Sequence, residues 1–237
     1  GVPFHLTEDL MPMYDGNFFT KFIGLLRPFA IVSGVVSLSM LLMHGAAWLT
    51  LKTEGPVQLR ARTIGTYAGI VAALSYALAG VWLALGVDGF QIVSDVAANG
   101  PSNPLYSDVE RGGSWMAAYS VRPWIVIAPI MGFVGIAMAV LGLRAGREVS
   151  TLLWSKLAIT GIISSVGLTM FPFILPSIVD PNSSLTVWDS SSSHQTLFVM
   201  LVAAVIFVPL ILAYTAWVYK VLWGKVTEDD VTSGHSY

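Results

Sequence analysis

The chain has 237 residues, 55% of them hydrophobic and only 11% charged. An ordinary soluble domain carries about 25% charged residues, so a chain with a mean hydropathy of +0.72 lacks the polar surface to face water and needs lipid as its solvent. The net charge of −2 gives no bulk attraction to nucleic acid, and the lack of cysteine excludes disulfides, zinc–thiolate sites and iron–sulfur clusters built from this chain alone.

The first segment, Gly1–Asn17, has no basic stretch followed by a short apolar core, so it does not read as a signal peptide. It reads as an internal loop, which makes the chain an expected piece of a longer protein. Residues 1–27 are expected to form an outer loop leading into the first span.

A spanning helix needs about 20 mostly apolar residues. Five stretches qualify: Pro28–Leu51, Ile64–Val87, Trp124–Leu143, Leu152–Leu175 and Thr196–Trp223. They are too long and too uniformly apolar for barrel strands, whose side chains alternate between lipid and lumen. Helices satisfy every backbone hydrogen bond internally, as hydrocarbon demands. The expected fold is therefore all-α, a polytopic transmembrane bundle over residues 28–223, with a polar tail at 224–237.

Charge sets the expected orientation. Lys52, Arg60 and Arg62 follow the first span, Arg144, Arg147 and Lys156 follow the third, and Lys220 and Lys225 lie at the end of the fifth. The opposite side holds Lys21, Arg27, Arg111 and Arg122. The more basic side is expected to be cytoplasmic, which puts the N-terminus outside and the C-terminus inside. Two longer segments then face outward. Asp88–Val121 carries turn signals at Asn99-Gly100-Pro101 and Asn103-Pro104, and Pro176–Gln195 is rich in serine. Ser192 stands three residues before Gln195, the spacing of a capping box at the start of the fifth span.

Few residues inside the spans can carry chemistry. His44 is the histidine well inside a span, readable as a haem ligand or proton relay, or as a neutral group hydrogen-bonded within the bundle. No second histidine lies at its depth to complete a b-type haem. Arg122, at the mouth of the third span, and Trp188-Asp189, in the outer loop, read as contacts to a partner or a quinol headgroup, or as interfacial anchors. Pro172 lies in Phe171-Pro172-Phe173-Ile174-Leu175-Pro176, which should bend or unwind the outer end of the fourth span. Gly65 and Gly69 form a GxxxG pair, and Gly161 with Ser165 continues the small-residue pattern that lets helices approach closely. No phosphate loop, metal-ligand cluster or nucleophile triad is present in the sequence.

Several stretches carry a family resemblance. They are Gly1-Val2-Pro3-Phe4-His5-Leu6 with Gly16-Asn17-Phe18-Phe19, then Ala77-Leu78-Ala79-Gly80-Val81-Trp82 running on to Gly86-Val87-Asp88-Gly89-Phe90, and Ser102-Asn103-Pro104-Leu105. Phe171-Pro172-Phe173, Ser184-Leu185-Thr186-Val187-Trp188-Asp189, Pro209–Trp217 and Gly224–Asp230 complete the set. Together they resemble the C-terminal half of subunit II of cytochrome bd-type quinol oxidases. The resemblance implies a non-haem subunit that scaffolds a separate haem-bearing subunit I. It implies b-type and d-type haems in that partner, quinol as substrate, and dioxygen reduced to water at a bacterial inner membrane. Membrane lipids are expected neighbours, and the resemblance allows a small single-span subunit as a further partner. Two other classes stay open: half of a transporter, with the Pro-interrupted fourth span as a broken helix, and a quinone- or lipid-binding structural membrane module.

Overall fold

A computed structural model describes residues 1–96, 100, 103 and 107–227. The turn signals at Asn99, Pro101 and Pro104, the Ser102 and Leu105 stretch, and the tail from Glu228 onward lie outside the described residues.

The elements run β1 (His5–Leu6), β2 (Pro12–Met13), α1 (Phe18–Leu25), α2 (Pro28–Lys52), α3 (Gly55–Gly86), β3 (Asp88–Ile92) and β4 (Val109–Ser114). Then come α4 (Ala117–Val121), a 3-10 turn at Pro123–Val126, α5 (Ile127–Ala145), α6 (Glu148–Met170), β5 (Phe173–Leu175), β6 (Leu185–Thr186) and α7 (His194–Val221). Among the described residues, five helices are long and apolar enough to cross a membrane: Pro28–Lys52, Gly55–Gly86, Pro123–Ala145, Glu148–Met170 and His194–Val221. The expected polytopic bundle is therefore present, with short antiparallel hairpins, β1–β2, β3–β4 and β5–β6 among the described residues, added to it. All three hairpins gather at one end of the bundle, where α2 and α5 begin and α3 and α6 finish.

Three boundaries depart from the sequence reading, each for a local reason. The second span starts at Gly55 rather than Ile64, because Gly55-Pro56 opens a helix at once: proline at the first turn lacks only an amide hydrogen that has no partner there. The fourth span stops at Met170 rather than Leu175, since Pro172 cannot continue the ladder and Phe173–Leu175 pairs as a strand with Leu185–Thr186. The fifth starts at His194, and its cap is Ser193, whose side chain accepts from the Thr196 amide, in place of the expected Ser192–Gln195 box.

Four helices pack into one core. On α5 the buried positions are Ala128, Gly132, Gly135, Ile136, Ala139, Gly142 and Leu143; on α6 they include Thr151, Ser155, Ala158, Gly161, Ile162, Ser165 and Thr169. Both series step by three and four residues, the spacing of a continuous helix seam. The residues are small because in lipid no hydrophobic force drives helices together, so close backbone approach and dispersion must do so. A Cβ placed on Gly161 would lie 2.3 Å from the Gly132 nitrogen and 2.8 Å from the Ala128 carbonyl oxygen. The expected GxxxG pair works the same way between α2, α3 and α5. A Cβ on Gly65 would meet the Ala46 methyl at 2.6 Å, and one on Gly69 the Val140 methyl at 2.4 Å. Helix α7 is different: none of its residues is buried.

Candidate functional site

Polar side chains collect in three places: inside the bundle, at its hairpin end, and at its opposite end.

Inside the bundle, His44 is half-buried, and its Nδ1 lies 2.9 Å from the Ser155 hydroxyl. Ser155 also donates to the Leu152 carbonyl, a back-bond available to serine within a helix. His44 thus joins α2 to α6. Nearer the hairpin end the Tyr76 hydroxyl meets Ser165 at 2.6 Å, and Thr169 donates to the Tyr119 hydroxyl at 3.0 Å. These pairs satisfy polar atoms that hydrocarbon cannot. Between Ser155 and Ser165 the buried positions of α6 are Ala158, Gly161 and Ile162, so the two polar groups are separated by an apolar stretch. Among the described residues no group of three or more His, Asp or Glu side chains is arranged to hold a metal ion.

At the hairpin end, Asp189 is buried at 5% exposure. Its Oδ2 accepts from the Thr186 amide at 3.2 Å and the Thr186 hydroxyl at 2.5 Å, while Oδ1 accepts from Ser107 at 2.7 Å. The carboxylate therefore clamps β6 and the segment after it to the loop before β4, and it is turned into the protein interior. Asp180 does similar work one turn away, accepting from Ser183 at 2.6 Å and from the Asn182 amide at 3.3 Å. The N-terminal segment joins this cap: the Leu6 amide donates to Ser183, and Ser177 donates to the Phe4 carbonyl.

Arg122 closes the end of α6. Its Nη2 reaches the Leu168 and Phe171 carbonyl oxygens at 3.5 and 3.4 Å, and its guanidinium lies 5.1 Å from the Phe171 ring centre. The last carbonyls of a helix have no partner within it and carry its negative dipole end, so a cation there is doubly favoured. Trp188 packs edge-on against Phe171 at 5.9 Å, and the Pro172 carbonyl accepts from the Val187 amide. Arg122, Pro172, Trp188 and Asp189 are thus brought into one cap. Gly65 and Gly69 lie within the bundle, and His44 lies towards its other end.

That other end holds a cluster not singled out from sequence. The Glu148 carboxylate oxygen Oε1 accepts from Lys225 at 2.8 Å and from Gln58 at 2.9 Å, and Arg62 lies 3.9 Å from it. Lys225 is also 3.7 Å from Glu54. The hydrogen bond that Lys225 donates to Glu148, with the nearby carboxylate charges, holds the Lys225 ammonium above the ordinary lysine range. Beside it the Val226 amide donates to the Lys52 carbonyl, and Lys52 Nζ donates to the carbonyls of Leu222 and Gly224 at 3.2 and 3.3 Å. Lys52 Nζ also lies 5.2 Å from the Trp223 ring centre, and the Trp48 and Tyr219 rings meet at a tilt with centres 5.6 Å apart. This clasp ties the end of α7 to the α2–α3 turn and to the start of α6. The signal in the sequence was an acidic residue opening a helix, where the dipole favours it, with a lysine just beyond the last span.

Comparison with known proteins agrees with the geometry. The family model for cytochrome bd terminal oxidase subunit II matches residues 1–222. The cytochrome bd-I ubiquinol oxidase subunit 2 of Escherichia coli K12 is 39% identical over 232 residues, which cover 98% of this chain and 60% of that protein. A probable cytochrome oxidase subunit 2 of Haemophilus influenzae is 39% identical over 227 residues, covering 95% of this chain and 59% of that protein. The chain therefore spans about 60% of the length of the curated relatives it matches. With five apolar spans, hairpins gathered at one end and a family match running from Gly1 through the end of the last helix, the chain belongs to the cytochrome bd terminal oxidase subunit II family.

Proposed function

We propose that this chain is part of the non-haem membrane subunit of a bd-type quinol oxidase in a bacterial inner membrane, with its N-terminus outside and its C-terminus cytoplasmic. The observation that carries the reading is the family match over residues 1–222. In the complex, a separate subunit I holds the b-type and d-type haems, oxidises quinol and reduces dioxygen to water. This chain gives it a rigid apolar neighbour, and dryness around a haem tunes its potential. The small-residue seams supply the rigidity, and the wholly unburied α7 supplies apolar surface for lipid or for the rest of the complex. The cluster of Arg62, Arg144, Arg147 and Lys225 at the end opposite the hairpins supports the orientation. The family match favours this reading over a half-transporter or a free-standing quinone- or lipid-binding module.

His44 supplies the test. One of its ring nitrogens is already engaged with Ser155, and the reading assigns it to bundle packing. The full oxidase carrying His44→Ala should keep its haem content per complex and its reduced-minus-oxidised spectrum. Loss of one haem equivalent from the variant would overturn the non-haem assignment.

A further inference from the structure

An exposed side of α6, at the end opposite the hairpins, carries a groove of about 540 Å3 lined by Val149, Ser150, Leu153, Trp154 and Leu157. These positions follow one face of the helix at spacings of three and four residues. From Arg147 to Leu157 the helix rises about 15 Å at its usual pitch, close to half of a hydrocarbon core about 30 Å thick. The groove therefore has the depth of one leaflet. Arg144, on the last turn of α5, and Arg147, at the N-cap position of α6, flank in sequence Gly146, whose left-handed backbone turns the chain into the helix that carries the groove. Both arginines are exposed, and among the described residues neither forms an ion pair with a carboxylate. The nearest acid in sequence, Glu148, is turned inward and engaged by Lys225, Gln58 and Arg62. Lys156, exposed near the bottom of the groove, has a stem long enough to carry its charge towards the headgroups.

We propose that this groove is a binding site for an anionic phospholipid, with the phosphate held by Arg144 and Arg147 and one acyl chain laid along Ser150, Leu153, Trp154 and Leu157. Two cationic side chains at headgroup depth attract an anionic headgroup through their charge. The apolar wall beneath them, flanked by the partly buried Trp154, takes the chain.

The test uses the full-length subunit in its oxidase complex. The complex is placed in phosphatidylcholine nanodiscs containing either photoactivatable phosphatidylglycerol or photoactivatable phosphatidylcholine, irradiated, and its peptides are mapped. Labelling of the segment 149–157 by phosphatidylglycerol should exceed that by phosphatidylcholine by about fivefold for each arginine. The excess should shrink in high salt. It should vanish in the Arg144→Gln/Arg147→Gln variant and persist in Arg144→Lys/Arg147→Lys. Equal labelling by the two lipids, a preference unchanged in the glutamine variant, or a preference lost in the lysine variant would overturn the site. So would absence of labelling by either lipid, since protein would then cover the groove.

Discussion

Replacing Gly135 by alanine tests the claim that the α5–α6 seam is set by backbone contact. A Cβ on Gly135 would lie 2.4 Å from the Ala158 nitrogen and 2.6 Å from its Cα, about 1 Å inside ordinary contact distance. The obstructing atoms are backbone, so no rotamer change relieves them and the two helices must part. A gap of about 0.5–1 Å forfeits a quarter to a half of each dispersion well along the seam, and overpacking of this kind costs about 1–3 kcal/mol. The intrinsic helix preference for alanine over glycine works the other way, by at most about 1 kcal/mol. Gly45→Ala on α2 isolates that second effect, because a Cβ there has nothing within 4 Å. The propensity gain is common to both variants, so the difference between them is the overpacking cost alone. Gly135→Ala should be less stable than Gly45→Ala by about 1–3 kcal/mol. Reversible unfolding of the full-length protein by sodium dodecyl sulfate titration, followed by tryptophan fluorescence, measures it. Equal midpoints for the two variants would refute the backbone-contact account of the seam.

Asp189→Asn keeps the shape of the side chain but presents an amide donor where Thr186 and Ser107 already donate. One buried polar pair is left unsatisfied, at a cost of about 1–3 kcal/mol in the same titration, with the membrane helices retained by circular dichroism. The clasp at the other end should respond to alkali. The Lys225 ammonium is held above the ordinary lysine range by Glu148, so its contribution is fully present below that range and is lost as pH rises through the elevated value. Limited proteolysis should show the end of α7 protected at neutral pH and cut faster well above pH ~10.4, the ordinary lysine value. Glu148→Gln should bring on the faster cutting at neutral pH.

Length and hydropathy alone determine that five segments are helices in lipid, because hydrocarbon permits no other open arrangement of backbone hydrogen bonds. The GxxxG pair at Gly65 and Gly69 was legible too, since small residues at that spacing have few uses besides helix contact. The termination at Pro172 was legible in kind but not in position. Proline forbids continuation, whereas the stop at Met170 depends on β5 finding β6 ten residues downstream. Only tertiary structure decided what the charges do. Asp189 read as a partner or headgroup contact or an interfacial anchor, and the fold makes it a buried clamp whose partner Ser107 lies 82 residues away in sequence. Glu148 was not singled out from sequence, and it gathers Gln58 and Arg62 of α3 with Lys225 from the segment after α7. Hydrophobic periodicity is a local property that a single helix reports about itself. A polar contact depends on where distant turns of chain come to rest, and that is settled by how the small-residue seams let the helices close.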